Sequence, residues 1–212
     1  MLMTDRTFGL VSNGAVTPQQ HLERIIVTTV DSPATGGIAS ALRRLYFVRF
    51  AFAIVWAVLL FVTSQSHVGP IGVVLVVLYP LFDVGAAVVD LRSSRATGSA
   101  RGLYVNMAIS LLAAVGLGIA AASGVPGALR VWGAWAVIAG LIQLIVALTR
   151  RKMGGQWPMI LSGGISVLAG ANFIIGASAP NPSLANVAGY AVLGGIFFLV
   201  SAIRLGRAAK GN

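Results

Sequence analysis

The sequence predicts an all-α membrane protein in which six transmembrane helices form three hairpin repeats, with both termini in the cytoplasm. Of the 212 residues, 57% are hydrophobic and only 9% are charged, whereas soluble domains carry about 25% charged residues. The apolar residues form six stretches of about 20 residues, the length of a helix that crosses the ~30 Å hydrocarbon layer of a bilayer. Every second stretch is followed by basic residues, so the stretches form pairs.

The predicted spans are distributed over three repeats, at about residues 45–92, 103–150 and 157–204. The spans lack the two-residue alternation of a transmembrane strand, and they are about twice as long as one. We therefore predict helices at these positions: residues 45–63, 69–91, 103–123, 129–149, 157–178 and 185–204. Short loops join the two helices of each repeat, at residues 64–68, 123–128 and 179–184.

The basic residues predict the orientation of the helices. The three short loops contain no Lys or Arg, and only Arg130 lies toward their side. The opposite ends of the spans carry eleven basic residues: Arg43, Arg44, Arg92, Arg95, Arg101, Arg150, Arg151, Lys152, Arg204, Arg207 and Lys210. Cytoplasmic loops are the ones enriched in Lys and Arg. The predicted localisation is therefore the cytoplasmic membrane of a bacterium, with both termini inside.

Before the six-helix domain of residues 41–212, residues 1–40 form a polar cytoplasmic tail that we expect to be partly disordered. A short helix is predicted over residues 18–30, because Thr17 can cap it and Gln20 completes a capping box. Its apolar residues recur at helical spacing. The segment could lie on the membrane surface or dock on a partner, and a frayed tail is an equally good interpretation.

Composition argues against several classes of function. The net charge of +10 would suggest nucleic-acid binding in a soluble protein, but here the basic residues lie at helix ends, where they anchor the protein. There is no Cys, and the two His residues, His21 and His67, are far apart, so we expect no metal site and no cofactor. Phosphate-binding loops, zinc-protease motifs and nucleophile elbows are missing. We expect no catalytic residues and no enzyme.

Small residues recur at every fourth position within several spans, a spacing that lets membrane helices pack closely. The helix-packing candidates are Ala114, Gly118, Ala136, Gly140, Ser162, Ser166 and Gly170. This pattern predicts a tight bundle with little internal water. The same surfaces could also mediate homo-oligomerisation.

Five polar residues lie within or near the spans and form the candidate intramembrane site: Asp83, Asp90, Asn106, Gln143 and Asn172. A carboxylate at the depth of Asp83 costs a few kcal/mol unless it is paired or protonated. Asp83 is therefore either a proton carrier or contact for a cationic solute, or a structural acceptor for Asn, Ser, Tyr or Arg on another helix. Pro80, one turn earlier, predicts a kink. Asp90 suits an interfacial salt bridge, and the amides suit interhelical hydrogen bonds.

Residues 157–170 resemble the opening helix of a repeat in the HdeD-type acid-resistance membrane protein family, and residues 132–143 and 189–204 resemble its closing helix. The resemblance covers about residues 100–207, while residues 79–83 depart from it. It implies six helices in three hairpins, a bacterial inner-membrane location and a role in stress. It implies no catalytic residues.

Two functional hypotheses follow. The first is a non-enzymatic scaffold or accessory subunit in acid or envelope stress tolerance, which binds a membrane-protein partner or a second copy within the lipid bilayer. The alternative is a small proton-linked transporter or channel that uses Asp83. Repeated hairpins suit transporters, although transporter repeats are usually inverted or larger.

Overall fold

The computed structural model describes residues 33–63, 67–93, 100–149 and 157–208, and this part of the chain contains helices and short connections but no strand. Its α-helices are α1 Pro33–Thr63, α2 Pro70–Ser93, α3 Ala100–Ala120, α4 Gly124–Thr149, α5 Trp157–Gly176 and α6 Ala185–Ala208. The predicted all-α class is confirmed for these residues. The helix predicted over residues 18–30 lies outside them.

Four helical stretches are long and apolar enough to cross a membrane: Ser40–Thr63, Pro70–Arg92, Arg101–Ile145 and Ala185–Arg207. A shorter apolar helix covers Ile160–Gly176. Large apolar side chains such as Val62, Leu112 and Leu168 are more than 70% exposed, as expected where lipid rather than water surrounds a protein. The chain is a multi-pass membrane protein.

The third of these stretches holds two helices, α3 and α4, joined by a 3-10 turn at Ala121–Ser123. The chain reverses at Gly124, whose φ of 72° is left-handed and therefore suits glycine. A loop was predicted at residues 123–128, but α4 already begins at Gly124. Pro126 in its first turn explains this difference, since proline there gives up no helical hydrogen bond.

The first helix also begins earlier than predicted. It starts at Pro33, within the predicted tail of residues 1–40, and proline is favoured at the first helical position. By contacts, the chain divides into residues 1–37 and 38–212. Of the first unit, the structure describes only residues 33–37, which begin α1.

The helices with the closest backbones belong to consecutive repeats rather than to one hairpin. α4 and α5 form the tightest pair, followed by α2 and α3. A Cβ atom added to Gly133 would lie 2.5 Å from the Gly170 carbonyl oxygen, and one added to Gly140 would lie 2.8 Å from that of Gly163. Glycine is required here because any side chain would separate the two backbones.

One half of the bundle is filled by buried apolar side chains, and we call it the packed half. It lies where α1, α3 and α5 end and where α2, α4 and α6 begin. Its largest buried members are Trp56, Leu60, Leu117, Leu129, Trp132, Leu184 and Val187.

Four aromatic side chains lie at the inner edge of the packed half, and we call them the aromatic plug: Trp56, Tyr79, Trp132 and Trp135. The rings of Trp56 and Trp132 stack with centroids 5.2 Å apart, and Tyr79 meets both edge-on. Trp56 Nε1 donates a hydrogen bond of 2.7 Å to the Leu75 carbonyl oxygen. The carbonyl of the residue after Leu75 lacks its usual N–H donor. In a regular helix that donor would come from residue 80, which is Pro80 inside α2 and has no N–H.

Candidate functional site: a cavity around Arg49 and Asp83

The other half of the bundle contains a cavity of about 550 Å³ that residues from all six described helices line. Its lining extends from Asp90, Gly102 and Ser201, near the ends of their helices, to Tyr79 and Trp135 of the aromatic plug. The cavity therefore opens at one end of the bundle and is closed in the middle. Its volume is typical of sites for small molecules, which measure about 300–1,000 Å³.

The open end of the cavity is the basic end of the protein. We call it the arginine end, after six exposed residues: Arg43, Arg44, Arg92, Arg101, Arg204 and Arg207. Arg130 is exposed near the start of α4, in the packed half.

An ion pair between α1 and α2 lies inside the cavity. Arg49 Nη2 is 3.1 Å from Asp83 Oδ1. The other carboxylate oxygen, Oδ2, accepts hydrogen bonds from Asn106 Nδ2 at 2.7 Å and from Ser110 Oγ at 2.8 Å, both on α3. The side chains of Arg49 and Asp83 are only 16% and 19% exposed. Three donors thus offset the cost of holding a carboxylate at membrane depth.

The guanidinium group of Arg49 also contacts an aromatic ring. Its central carbon lies 4.8 Å from the ring centroid of Phe198 on α6, within the distance of a cation–π interaction. Arg49 Nε is buried and has no hydrogen-bond partner among the described residues. The cluster therefore joins α1, α2, α3 and α6, and one of its donors is left unsatisfied.

A second polar contact connects α5 and α6 in the wall of the cavity. Ser166 Oγ and the Tyr190 hydroxyl lie 2.8 Å apart, and Ser166 also donates to the Ser162 carbonyl oxygen at 2.9 Å. All three residues line the cavity. The remaining walls are largely aromatic or small, so the few polar groups are concentrated around one space.

The structure brings together four of the five predicted polar residues. Asp83 and Asn106 are hydrogen-bonded, and Asp90 and Gln143 line the same cavity nearer the arginine end. Asn172 is exposed beside a separate cavity of about 130 Å³ in the packed half.

The predicted packing residues have several different environments. Gly140 and Gly170 lie in the close contact of α4 with α5, and Ala114 is buried. Ala136, Gly140, Ser162 and Ser166 line the cavity, whereas Gly118 is exposed. Around this cavity the helices do not form the tight bundle that was predicted, and the prediction of little internal water stays a prediction. Small residues bring pairs of helices together, but they leave the centre unfilled where several of them face it.

Arg49, Phe198 and Tyr190 were not predicted as site residues. For Arg49 a signal was present in the sequence. It is a basic residue inside the predicted span 45–63, and Asp83 lies within the next span of the same hairpin. Opposite charges in adjacent antiparallel spans predict a pair when each would be costly alone. No sequence signal identified the two aromatic residues, because their partners, Arg49 for Phe198 and Ser166 for Tyr190, lie on other helices.

Comparison of the chain with protein-family models, with curated proteins and with solved structures finds no match. No group of three or more His, Asp or Glu side chains arranged for a metal ion occurs within the described residues. Buried donors, one ion pair and aromatic walls around an open space can bind a small polar molecule, and none of them forms a nucleophile–base pair.

Proposed function

We propose that this protein is a small-solute transporter of a bacterial cytoplasmic membrane, with six crossings and with the arginine end in the cytoplasm. One observation carries the proposal: a cavity of about 550 Å³ that contains the Arg49–Asp83 pair and extends from one end of the bundle to its middle. Transporters typically bind their substrates near the bilayer midplane, between helices that alternately open to each side. In this proposal the structure is the inward-open state.

The lengths of the helices support six crossings. α3 and α4 have 21 and 26 residues and α5 has 20, and at 1.5 Å per residue each is about 30 Å long or longer. The arginine end follows the rule that cytoplasmic loops are rich in Lys and Arg.

The aromatic plug supports transport more than simple binding. It closes the cavity at the level where Pro80 interrupts the hydrogen bonding of α2. A proline inside a helix beside such a closure can act as a hinge. Movement of α2 at this point would shift Tyr79 away from Trp132, whose ring centroid is 5.4 Å away, and so open the path to the other side.

The scaffold hypothesis, the resemblance to the HdeD-type family and the stress role remain predictions. Survival of a deletion strain at low pH, complemented with wild type or with Asp83→Asn, tests the stress role directly. Full survival of the deletion strain at low pH would rule out the stress role.

The chain's lack of cysteine permits a direct test of the cavity. We expect Ala139→Cys, in the cavity wall, to react with a membrane-impermeant maleimide in inside-out vesicles but not in right-side-out vesicles. Ala128→Cys, fully buried in the packed half, should not react from either side while the plug is closed. Ala108→Cys, exposed on the outer surface of α3, is the matched control for a site that faces lipid.

Three results would argue against the proposal. Labelling of Ala139→Cys from the outside would reverse the orientation, and equal labelling of Ala108→Cys would mean that reagent enters through the lipid. No labelling of Ala139→Cys from either side would mean that no aqueous cavity exists, and the scaffold hypothesis would then be preferred.

A further inference from the structure

The carboxylate of Asp83 already binds a guanidinium group, which comes from the protein itself. Arg49 is held between Asp83, at 3.1 Å, and the ring of Phe198, at 4.8 Å. Asn106 and Ser110 fix the second carboxylate oxygen. A carboxylate on one side and an aromatic face on the other are the groups with which proteins bind organic cations.

The rest of the cavity lining also suits an organic cation. Among the described residues, the charged ones that line the cavity are Arg49, Asp83 and Asp90. The exposed arginines at the arginine end do not line the cavity. Aromatic side chains contribute much of the wall: Tyr46, Tyr79, Trp135, Tyr190, Phe197 and Phe198. Such walls stack on flat cations and stabilise them through their ring faces.

We propose that the transported solute is a small organic cation with a guanidinium, amidinium or amine group, and that it binds Asp83 by displacing Arg49. This inference rests on the proposed transport function and specifies its substrate class. Exchange of one cation for another leaves the Asp83 carboxylate paired at membrane depth, while the guanidinium of Arg49 has to move away from it.

The displaced Arg49 side chain has a path toward the arginine end. Its long aliphatic stem lets the guanidinium move toward water while its backbone stays in place. Asp90 lines the cavity two helical turns nearer that end, on the same face of α2. Release of Arg49 would also free α1 and α6 from their contacts at Asp83 and Phe198, and in this way couple binding to helix movement.

Arg49 competes with the solute for Asp83 and is tethered to the protein. Its occupancy of Asp83 therefore sets how much the removal of Arg49 strengthens cation binding. When a solute must displace a group from its site, its apparent affinity equals its intrinsic affinity multiplied by the fraction of time that the site is free. If Arg49 occupies Asp83 for about nine-tenths of the time, its removal should strengthen cation binding about tenfold.

Benzamidine, a flat amidinium, is the probe, and its neutral and anionic relatives benzamide and benzoate are the controls. Binding is measured by calorimetry on purified full-length protein in detergent, for wild type, Arg49→Gln and Arg49→Gln/Asp83→Asn. The last two differ only in the charge of residue 83. We expect benzamidine to bind Arg49→Gln about tenfold more tightly than wild type, and not to bind the double variant. If Arg49→Gln does not fold, wild type and the charge-neutral double variant provide the comparison.

Binding of benzamidine to the double variant as tightly as to the others would overturn the proposal, and so would weaker binding to Arg49→Gln than to wild type. Protection of Ala139→Cys from maleimide separates this failure from a failure of the transport proposal. Protection by benzamide or benzoate but not by benzamidine would keep the cavity as a solute site and reject the cation. An Ala139→Cys variant that is not labelled at all would reject both.

Discussion

The two halves of the bundle are built by the same six helices with opposite results. In the packed half, Leu60, Leu117 and Val187 are fully buried and fill the space between helices. In the half at the arginine end, Ala87, Ala139 and other small side chains surround a cavity of about 550 Å³. The difference is in what lies between the helices, since the same six helices contribute to both halves.

Close packing and open space therefore require separate explanations in this protein. In lipid, apolar side chains gain little by leaving the solvent, so shape and polar contacts decide how helices associate. The packed half depends on interlocking side chains and on the stacked aromatic plug. The half at the arginine end depends on the Arg49–Asp83 cluster, which connects four helices across a space that side chains do not fill.

The largest expected effect comes from removal of that cluster's acceptor. We expect Asp83→Ala to lower the free energy of unfolding by about 3 kcal/mol, since it leaves a guanidinium unpaired at membrane depth. Equilibrium unfolding in mixed SDS micelles measures it. The double variant Arg49→Ala/Asp83→Ala should lose less than the sum of the two single variants. A loss below about 1 kcal/mol for Asp83→Ala would mean that the pair contributes no more to stability than a surface salt bridge.

A smaller effect distinguishes the two halves on a single helix. Leu117 on α3 is fully buried, whereas Leu103 on α3 is half-buried and lines the cavity. We expect Leu117→Ala to cost about 2 kcal/mol, because it leaves a new void, and Leu103→Ala to cost less than about 0.5 kcal/mol. The same unfolding measurement applies. Equal losses would contradict the division into a packed half and an open half.

The smallest expected effect tests the contact between α4 and α5. A Cβ on Gly133 would lie 2.5 Å from a backbone oxygen, so Gly133→Ala should strain the contact by about 1–3 kcal/mol. Alanine's better helix propensity returns up to about 1 kcal/mol, which leaves a net loss of about 1 kcal/mol. The matched control is Gly164→Ala on α5, where a Cβ meets no neighbour within 4 Å. It should be neutral or stabilising, and a similar loss there would assign the effect to the helix itself.

The sequence predicted most of the fold and part of the site. The helices α2, α3, α5 and α6 lie close to their predicted spans because runs of apolar residues and their breaks are local features. The sequence identifies Asp83 as a site residue because an unpaired acid in an apolar span is costly. It also predicts an Arg or an Asn as a partner for Asp83. The sequence pattern does not predict the helical starts at Pro33 and Gly124, since polar and glycine-rich segments are typical of loops.

What the sequence by itself determined is the all-α class and the multi-pass character, because hydrophobic length and charge are properties of consecutive residues. Only the tertiary structure decided which side chains meet. The pairing of Arg49 with Asp83, the ring of Phe198 above the guanidinium and the cavity around them all involve residues from different helices. The same spacing of small residues also permits either contact or a gap, so the sequence pattern could not tell the packed half from the open one.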